Sequence, residues 1–170
     1  MLHLDPTDLR LLDLLQHDAA LSNQELAHRA HTSPATALRR VRRLVEAGVI
    51  ERRVAVLNPD HVGAGLTALV EITLDRQGAE HLDAFEARVV ADAAVQQCYR
   101  VSPGPDFLLV VRSADMAGYH ALVQRLFTQD ANVRNVKAFF SVKRAKFDPR
   151  QPLPAAGSAA AVRTSAAPAP

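Results

Sequence analysis

The first thirty residues alternate apolar runs with residues typical of helix ends. Asp5-Pro6 places an N-cap before a proline at the first helical position, and the leucines within residues 9–15 predict a buried helix that ends near Gln16. Ser22 and Glu25 have the spacing of a capping box, in which each side chain hydrogen-bonds the backbone amide of the other residue. They predict a short second helix.

A third helix is predicted directly after the second. Ser33-Pro34 provides its cap, and the helix runs to about Ala47, because Gly48 can adopt the left-handed conformation that closes a helix. Only His31 and Thr32 separate the second helix from this cap. This short connection predicts a helix-turn-helix in which His31 has a positive φ.

Two short apolar runs follow the third helix. Val49-Ile50 and residues 54–57 flank a charged stretch, a pattern suited to a two-stranded wing. We therefore predict a winged helix-turn-helix over residues 1–57. Asn58-Pro59 is a turn dipeptide, and with the two glycines that follow it opens a linker over residues 58–65.

The hydrophobic period alternates between 2 and 3.6 residues over the next part of the chain, residues 66–147. The resulting order is βαββαβ, which predicts a ferredoxin-like domain and an α+β protein overall. Such a sheet carries helices on one face only. Because its strands supply apolar residues to both faces, we expect the open face to meet another subunit. The predicted strands are residues 66–74, 95–101, 107–111 and 133–147, and the predicted helices are residues 79–90 and 116–127.

The amino-acid composition predicts a disordered tail and a cytoplasmic location. Residues 148–170 hold five of the ten prolines and no aromatic residue, which predicts a disordered tail. The single cysteine, Cys98, excludes a disulfide framework and fits a reducing cytoplasm. No apolar run is long enough to cross a membrane, and the acidic first twenty residues do not match a signal peptide. We therefore expect a cytoplasmic protein without a membrane partner.

Arginine is concentrated around the third helix: residues 28–53 contain seven arginines and two glutamates. We predict that Leu38, Val41 and Val45, with Ala37 and Leu44 beside them, bury one face of this helix. The opposite face then offers guanidinium groups to the major groove of DNA. The helix N-terminus adds amides that can hold a phosphate. The expected DNA-binding residues are Ser33, Ala35, Thr36, Arg39, Arg40, Arg43, Arg52 and Arg53, with Arg42 on the flank.

Short motifs along the chain occur in an order that is typical of one family. They are residues 21–27, 33–34, 40–44, 48–50 and 57–59 in the first part, and 70–74, 101–102, 106–109 and 115–116 in the second. In this order, over residues 4–147, the chain resembles the Lrp/AsnC family of feast/famine transcription regulators. The resemblance implies a regulator of double-stranded DNA that dimerises through its sheet and assembles further, to an octamer or another higher assembly. It also implies an amino-acid effector bound between dimers, and no cofactor.

The resemblance places the effector crevice at the turn between the second and third strands of the second domain. This turn departs from the family pattern, because Pro103 and Pro105 remove two backbone donors. An arginine, Arg100, stands where an apolar residue is common; it could recognise an acidic effector or be a surface residue. The effector-binding residues expected from the resemblance are Ser102, Gly104 and Asp106, with Met116, Phe139 and Phe140 as lining candidates and Arg100 beside them.

Three functions from different classes remain compatible with the sequence. The first is a sequence-specific transcription regulator that responds to a small molecule. The second is an effector-independent, nucleoid-type DNA organiser, which the two prolines of the turn would favour. The third is an enzyme similar to sirohaem decarboxylases, against which the arginine-rich helix argues. We expect no enzyme and no metal site, since His28 and His31 are close in sequence but lack further ligands.

Overall fold

Three capped helices form the first part of the structure, a computed structural model that describes residues 2–58, 61–62, 65–154 and 161–162. The helices are α1 (Pro6–His17), α2 (Asn23–Arg29) and α3 (Pro34–Glu46). The predicted caps are confirmed, and Asp5 and Asp8 form an additional capping box on α1. His31, with φ 54°, and Gly48, with φ 69°, confirm the predicted turn and helix end.

The helices pack through two small apolar clusters that share α1 and α3. The residues buried in these clusters are Leu11, Leu26, Ala27, Ala30, Ala37 and Val41 in the first, and Leu4, Leu9, Leu12 and Leu44 in the second. Small side chains at three of these positions allow the helices of the helix-turn-helix to approach closely. The buried face of α3 therefore packs against both α1 and α2.

The predicted two-stranded wing is wrong, because residues 49–57 are described without any strand. The amides of Val49 and Ile50 donate to the Leu44 carbonyl oxygen at 2.9 and 3.1 Å and fold the chain back on the end of α3. Both side chains then pack on the second cluster. Burial at the helix end replaces strand pairing, and the following apolar residues, among them Val54 and Val56, are exposed.

A four-stranded antiparallel sheet forms the second unit, which comprises Leu57–Lys146. Its strands lie in the order 95–100, 107–113, 66–74 and 133–140, which confirms the ferredoxin-like fold class and the α+β assignment. The elements are β2 (Leu66–Leu74), α4 (Ala79–Val90), β3 (Val95–Arg100), β4 (Phe107–Ser113), α5 (Met116–Val123) with a π-helical turn over Gln124–Thr128, and β5 (Val133–Phe140).

The core of this unit lies between the sheet and its two helices. Alternate residues of β2, from Ala68 to Leu74, are buried, and so are alternate residues of β4 from Phe107. Phe85 of α4 packs between the rings of Phe107 and Phe127, with centroid distances of 4.8 and 6.4 Å. The residues between these positions on the strands face away from the helices and form the open face of the sheet.

The end of the chain differs from the sequence prediction in two ways. The last strand of the sheet ends at Phe140 instead of Phe147, and the segment from Phe147 belongs to the same unit as the three helices. Gln16 and Gln151 exchange two hydrogen bonds of 3.1 and 2.6 Å, and Leu153 packs on the second helical cluster.

The prediction of a disordered tail is therefore wrong for residues 148–154. The tail as a whole holds few large apolar residues, but one of them, Leu153, packs on the helices. Residues 155–160 and 163–170 lie outside the described residues. Two short strands, β1 (Leu2–His3) and β6 (Ala161–Val162), pair antiparallel. Within the described chain, no helix has the length and apolar character needed to cross a membrane.

Candidate DNA-binding surface and effector site

The rotation of α3 about its axis decides which side chains can reach DNA. Its buried residues are Ala37, Val41 and Leu44, at a spacing of four and three. Leu38 is 42% exposed and Val45 is 48% exposed, so the prediction that they fill the buried face is wrong. The two stripes share Val41, and the centre of the buried stripe differs from that of Leu38, Val41 and Val45 by a rotation of roughly 70°.

Arg40 does not line the outward face of α3, and Arg43 lies at its edge with 42% of its side chain exposed. The face itself carries Arg39 and Arg42. Both are exposed, and neither forms an ion pair within the described part of the chain. Arg42 therefore lies in the middle of the outward face instead of on its flank. An open concavity of about 540 Å³ runs along this face and is lined by Ala35, Leu38, Arg39, Arg42, Arg43 and Glu46.

Arg40 and Arg43 turn back toward the first helix and bind two aspartates there. Nη1 of Arg40 lies 2.6 Å from Oδ2 of Asp5 and 2.9 Å from Oδ1 of Asp8. Nη2 of Arg43 lies 2.5 Å from Oδ2 of Asp8. The Asp8 side chain is fully buried and accepts a further hydrogen bond from the Asp5 amide. We call these four residues the α1–α3 clamp.

The clamp changes the pKa values of Asp5 and Arg40 in the direction that favours the charged form of each. Burial alone would raise the pKa of Asp5, but the Asp8 amide and the Arg40 guanidinium outweigh it, so the pKa of Asp5 lies below its usual value. Hydrogen bonds that the Arg40 guanidinium donates to the carboxylates of Asp5 and Asp8 raise the pKa of Arg40. The clamp is therefore a charge-paired network at neutral pH.

The N-terminus of α3 is organised by its cap. The Ser33 hydroxyl oxygen accepts from the Thr36 amide at 3.2 Å, and the hydroxyl donates to Thr36 Oγ1 at 2.8 Å. Ala35, between them, is exposed. Arg52 and Arg53, predicted for a wing, lie in an exposed segment without strand structure. These positions leave the helix start open toward solvent.

Two residues that matter at this surface were missed by the sequence reasoning. Asp8 was considered only as part of an acidic N-terminus, and Arg42 only as a flank residue. A usable signal was present: acidic residues three apart at the start of α1 match basic residues three apart on α3. Such complementary spacing on two helices that must pack together indicates an interhelical ion-pair network.

The β3–β4 loop holds the polar residues predicted for the effector. The Asp106 carboxylate accepts from the Leu74 amide at 2.7 Å, and the Asp106 amide donates to the Ile72 carbonyl oxygen at 2.8 Å. Asp106 therefore fastens the loop to β2. Gly104 has a φ of 123°, a conformation that side-chain-bearing residues rarely adopt. Ser102 and Gly104 are exposed residues, and within the described part of the chain their amides donate no hydrogen bond, so these amides are free for a ligand.

The Arg100 guanidinium already forms ion pairs with two acidic residues of the second unit. Its Nη2 lies 2.7 Å from Asp83 and 2.7 Å from Glu86, both on α4. Hydrogen bonding to these carboxylates, to Asp83 above all, raises the pKa of Arg100. The guanidinium also lies over the Phe107 ring, 5.7 Å from its centroid. Arg100 therefore packs on the helical side of the sheet.

The other predicted effector residues lie at the opposite end of the sheet. Phe139 and Phe140 pair with Leu69 and Ala68, and Met116 follows the end of β4. The β3–β4 loop contacts β2 at Ile72 and Leu74. These residues lie three to six positions from Ala68 and Leu69, or roughly 10–20 Å along the strand. One chain thus does not bring the two groups of predicted effector residues into a single pocket.

Comparisons with known proteins match both units. A family model for a winged helix-turn-helix DNA-binding domain matches residues 4–51, and one for the Lrp/AsnC ligand binding domain matches residues 67–151. The leucine-responsive regulatory protein of Salmonella typhimurium is 36% identical over 143 residues, which is 84% of this chain and 87% of that protein. These matches define a transcription regulator with a helix-turn-helix and a ligand-binding domain.

Solved structures agree with this assignment. An AsnC family transcriptional regulator from Agrobacterium tumefaciens has a TM-score of 0.81 and 32% identity, covering 88% of this chain and 97% of that one. A regulator from Neisseria meningitidis in complex with L-methionine has a TM-score of 0.80 and 30% identity, covering 88% and 96%. The chain belongs to the Lrp/AsnC family of transcription regulators.

Proposed function

We propose that this regulator reads double-stranded DNA with the outward face of α3, through Ala35, Leu38, Arg39 and Arg42. The observation that supports this most is the exposed pair Arg39 and Arg42, which form no ion pair in the described residues and line one concavity. Arginine recognises guanine edges with two hydrogen bonds, and an apolar side chain such as Leu38 suits a thymine methyl group.

Phosphate contacts complete the proposed interface. The N-terminus of α3 suits one phosphate, because the helix dipole is positive there and Ala35, next to the Ser33 cap, is exposed. Arg52 and Arg53 are exposed and suit others. Of the predicted DNA-binding residues, Arg40 is left out of the proposed base contacts and Arg43 out of the proposed phosphate contacts, since the clamp pairs both guanidinium groups with the aspartates of α1.

The open face of the sheet is the proposed dimer interface. Tyr99, Leu69, Leu108 and Phe139 lie on this face and are 53%, 49%, 37% and 45% exposed. Leu69 pairs with Val110 on one side and with Phe139 on the other, so the apolar residues form a continuous band across three strands. Such a band suits a second copy of the same face. The higher assembly stays a prediction.

A small effector, most simply an apolar amino acid, is proposed to bind at the β3–β4 loop. The bound L-methionine of the Neisseria meningitidis relative supports this class of ligand. The Ser102 and Gly104 amides can hold a carboxylate, and residues from another subunit must supply the apolar lining, since Phe139 and Met116 lie at the far end of the sheet. We infer a non-enzymatic protein that works in the cytoplasm, where it meets DNA.

The DNA proposal is tested with Arg39→Ala and Arg42→Ala. Each change should weaken binding to a duplex selected by the wild-type protein about tenfold or more, since a bidentate base contact discriminates by about 1–3 kcal/mol. Arg29→Ala, on the exposed side of α2, is the matched control and should change affinity little. Electrophoretic mobility shift titrations measure this, and equal affinities for all four proteins would refute the proposed reading face.

The dimer proposal is tested by placing charge on the open face. Leu69→Glu together with Leu108→Glu should convert the dimer to a monomer, because the glutamates would repel across the twofold axis and resist burial. Val90→Glu, at an exposed apolar position on α4, is the control and should stay dimeric. Sedimentation velocity gives the masses. A double variant with the wild-type mass contradicts the proposed interface.

The effector proposal is tested by thermal unfolding with the twenty amino acids and their amides. An amino acid at a hundred times its Kd should stabilise the native state by about 2.7 kcal/mol and raise the Tm by several degrees. The matching amide, which lacks the carboxylate, should not. If no amino acid shifts the Tm or alters DNA binding, the protein is the effector-independent organiser that the proline-rich loop suggests.

A further inference from the structure

The clamp divides the arginines around α3 into two groups with different surroundings. Two of the seven within residues 28–53, Arg40 and Arg43, face the aspartates of α1. The other five are exposed and form no ion pair in the described chain: Arg29, Arg39, Arg42, Arg52 and Arg53. The two aspartates therefore cancel two positive charges next to the proposed reading face.

Asp8 is the centre of this arrangement. Its carboxylate is fully buried and accepts from Arg40, from Arg43 and from the Asp5 amide, at 2.9, 2.5 and 3.1 Å. Asp5 shares only Arg40 and is 39% exposed. Removing the Asp8 charge would therefore release Arg43 entirely and leave Arg40 with one partner. No other described acid binds these two guanidinium groups.

The clamp is not built for stability alone. Nε of Arg40 and Nε of Arg43 are both buried without a hydrogen-bond partner, a cost that well-packed apolar residues would avoid. What the network does fix is the direction of two long, flexible side chains. Nη1 of Arg40 and Nη2 of Arg43 are held on the carboxylates of α1, although the Arg43 side chain stays 42% exposed at the edge of the reading face. Each lies one residue from an arginine of the reading face, so a released guanidinium could swing to a DNA phosphate.

We propose that Asp8 is a positioning residue for sequence readout: it withholds Arg40 and Arg43 from the DNA backbone, so that base contacts by Arg39 and Arg42 dominate binding. This inference rests on the proposed function and names how that surface gains its specificity. A helix-turn-helix unit in which all four arginines of α3 are free would bind any duplex through its phosphates, since phosphate contacts carry no sequence information.

The test is Asp8→Asn, which keeps the size of the side chain and removes its charge. Binding is measured from about 50 to 200 mM salt on a duplex selected by the wild-type protein and on a mixed-sequence duplex of equal length. The variant should bind the mixed duplex more tightly, and its log–log salt slope should steepen by about 0.9 for each phosphate gained, or up to about 1.8. The preference for the selected duplex should fall.

A triple variant that also removes both arginine charges, and keeps only the Asp5 carboxylate of the clamp, leaves the proposal testable if Asp8→Asn alone does not fold. The triple variant Asp8→Asn, Arg40→Gln, Arg43→Gln carries neither the released cations nor the buried charge. It should keep the salt slope and the duplex preference of the wild type, because the proposal gives Arg40 and Arg43 no DNA contact. Circular dichroism melting establishes the folded fraction of each variant, to which the affinities are referred.

Two outcomes overturn the proposal. One is a folded Asp8→Asn protein with the wild-type salt slope and preference. The other is a triple variant whose salt slope is shallower by about 1–2, since the clamped arginines would then contact phosphates in the wild type. Failure of the underlying function is distinct, because in that case the wild type shows no duplex preference and Arg39→Ala changes nothing.

Discussion

The buried carboxylate of Asp8 is the constraint on which the DNA-binding surface depends. A fully desolvated charge is tolerated only when it is paired and hydrogen-bonded, and here two guanidinium groups and one amide satisfy it. Because both guanidinium groups come from α3, the requirement fixes the rotation of that helix. In this rotation Ala37, Val41 and Leu44 face the core, while Arg39 and Arg42 point outward.

The same constraint explains where reasoning from the sequence succeeded and where it failed. The caps, the His31 turn, the Gly48 helix end and the first residues of the four sheet strands follow from local chemistry, which a sequence carries directly. The rotation of α3 about its axis does not, because Ala37, Leu38, Val41, Leu44 and Val45 span an arc of about 120°, which is wider than the stripe that is buried. Only the pairing of Arg40 with Asp5 and Asp8, 35 and 32 residues away, selects one phase.

Long-range contacts also account for the other differences. The residues after α3 were predicted to pair as a wing, but Val49 and Ile50 bury themselves against the helix end. The tail was judged by its average composition, whereas Leu153 and Gln151 attach its first part to α1. The effector residues carried over from the family fall at two ends of one sheet, which a motif comparison along the chain does not reveal.

The central claim is that Asp8 holds Arg40 and Arg43 on α1 while Arg39 and Arg42 read DNA. A crystal structure of the full chain bound to its selected duplex tests this most directly. The account predicts guanidinium-to-base hydrogen bonds of about 3 Å for Arg39 and Arg42, with both clamp arginines still on the Asp8 carboxylate. A complex in which Arg40 or Arg43 leaves Asp8 for a base or a phosphate would contradict it.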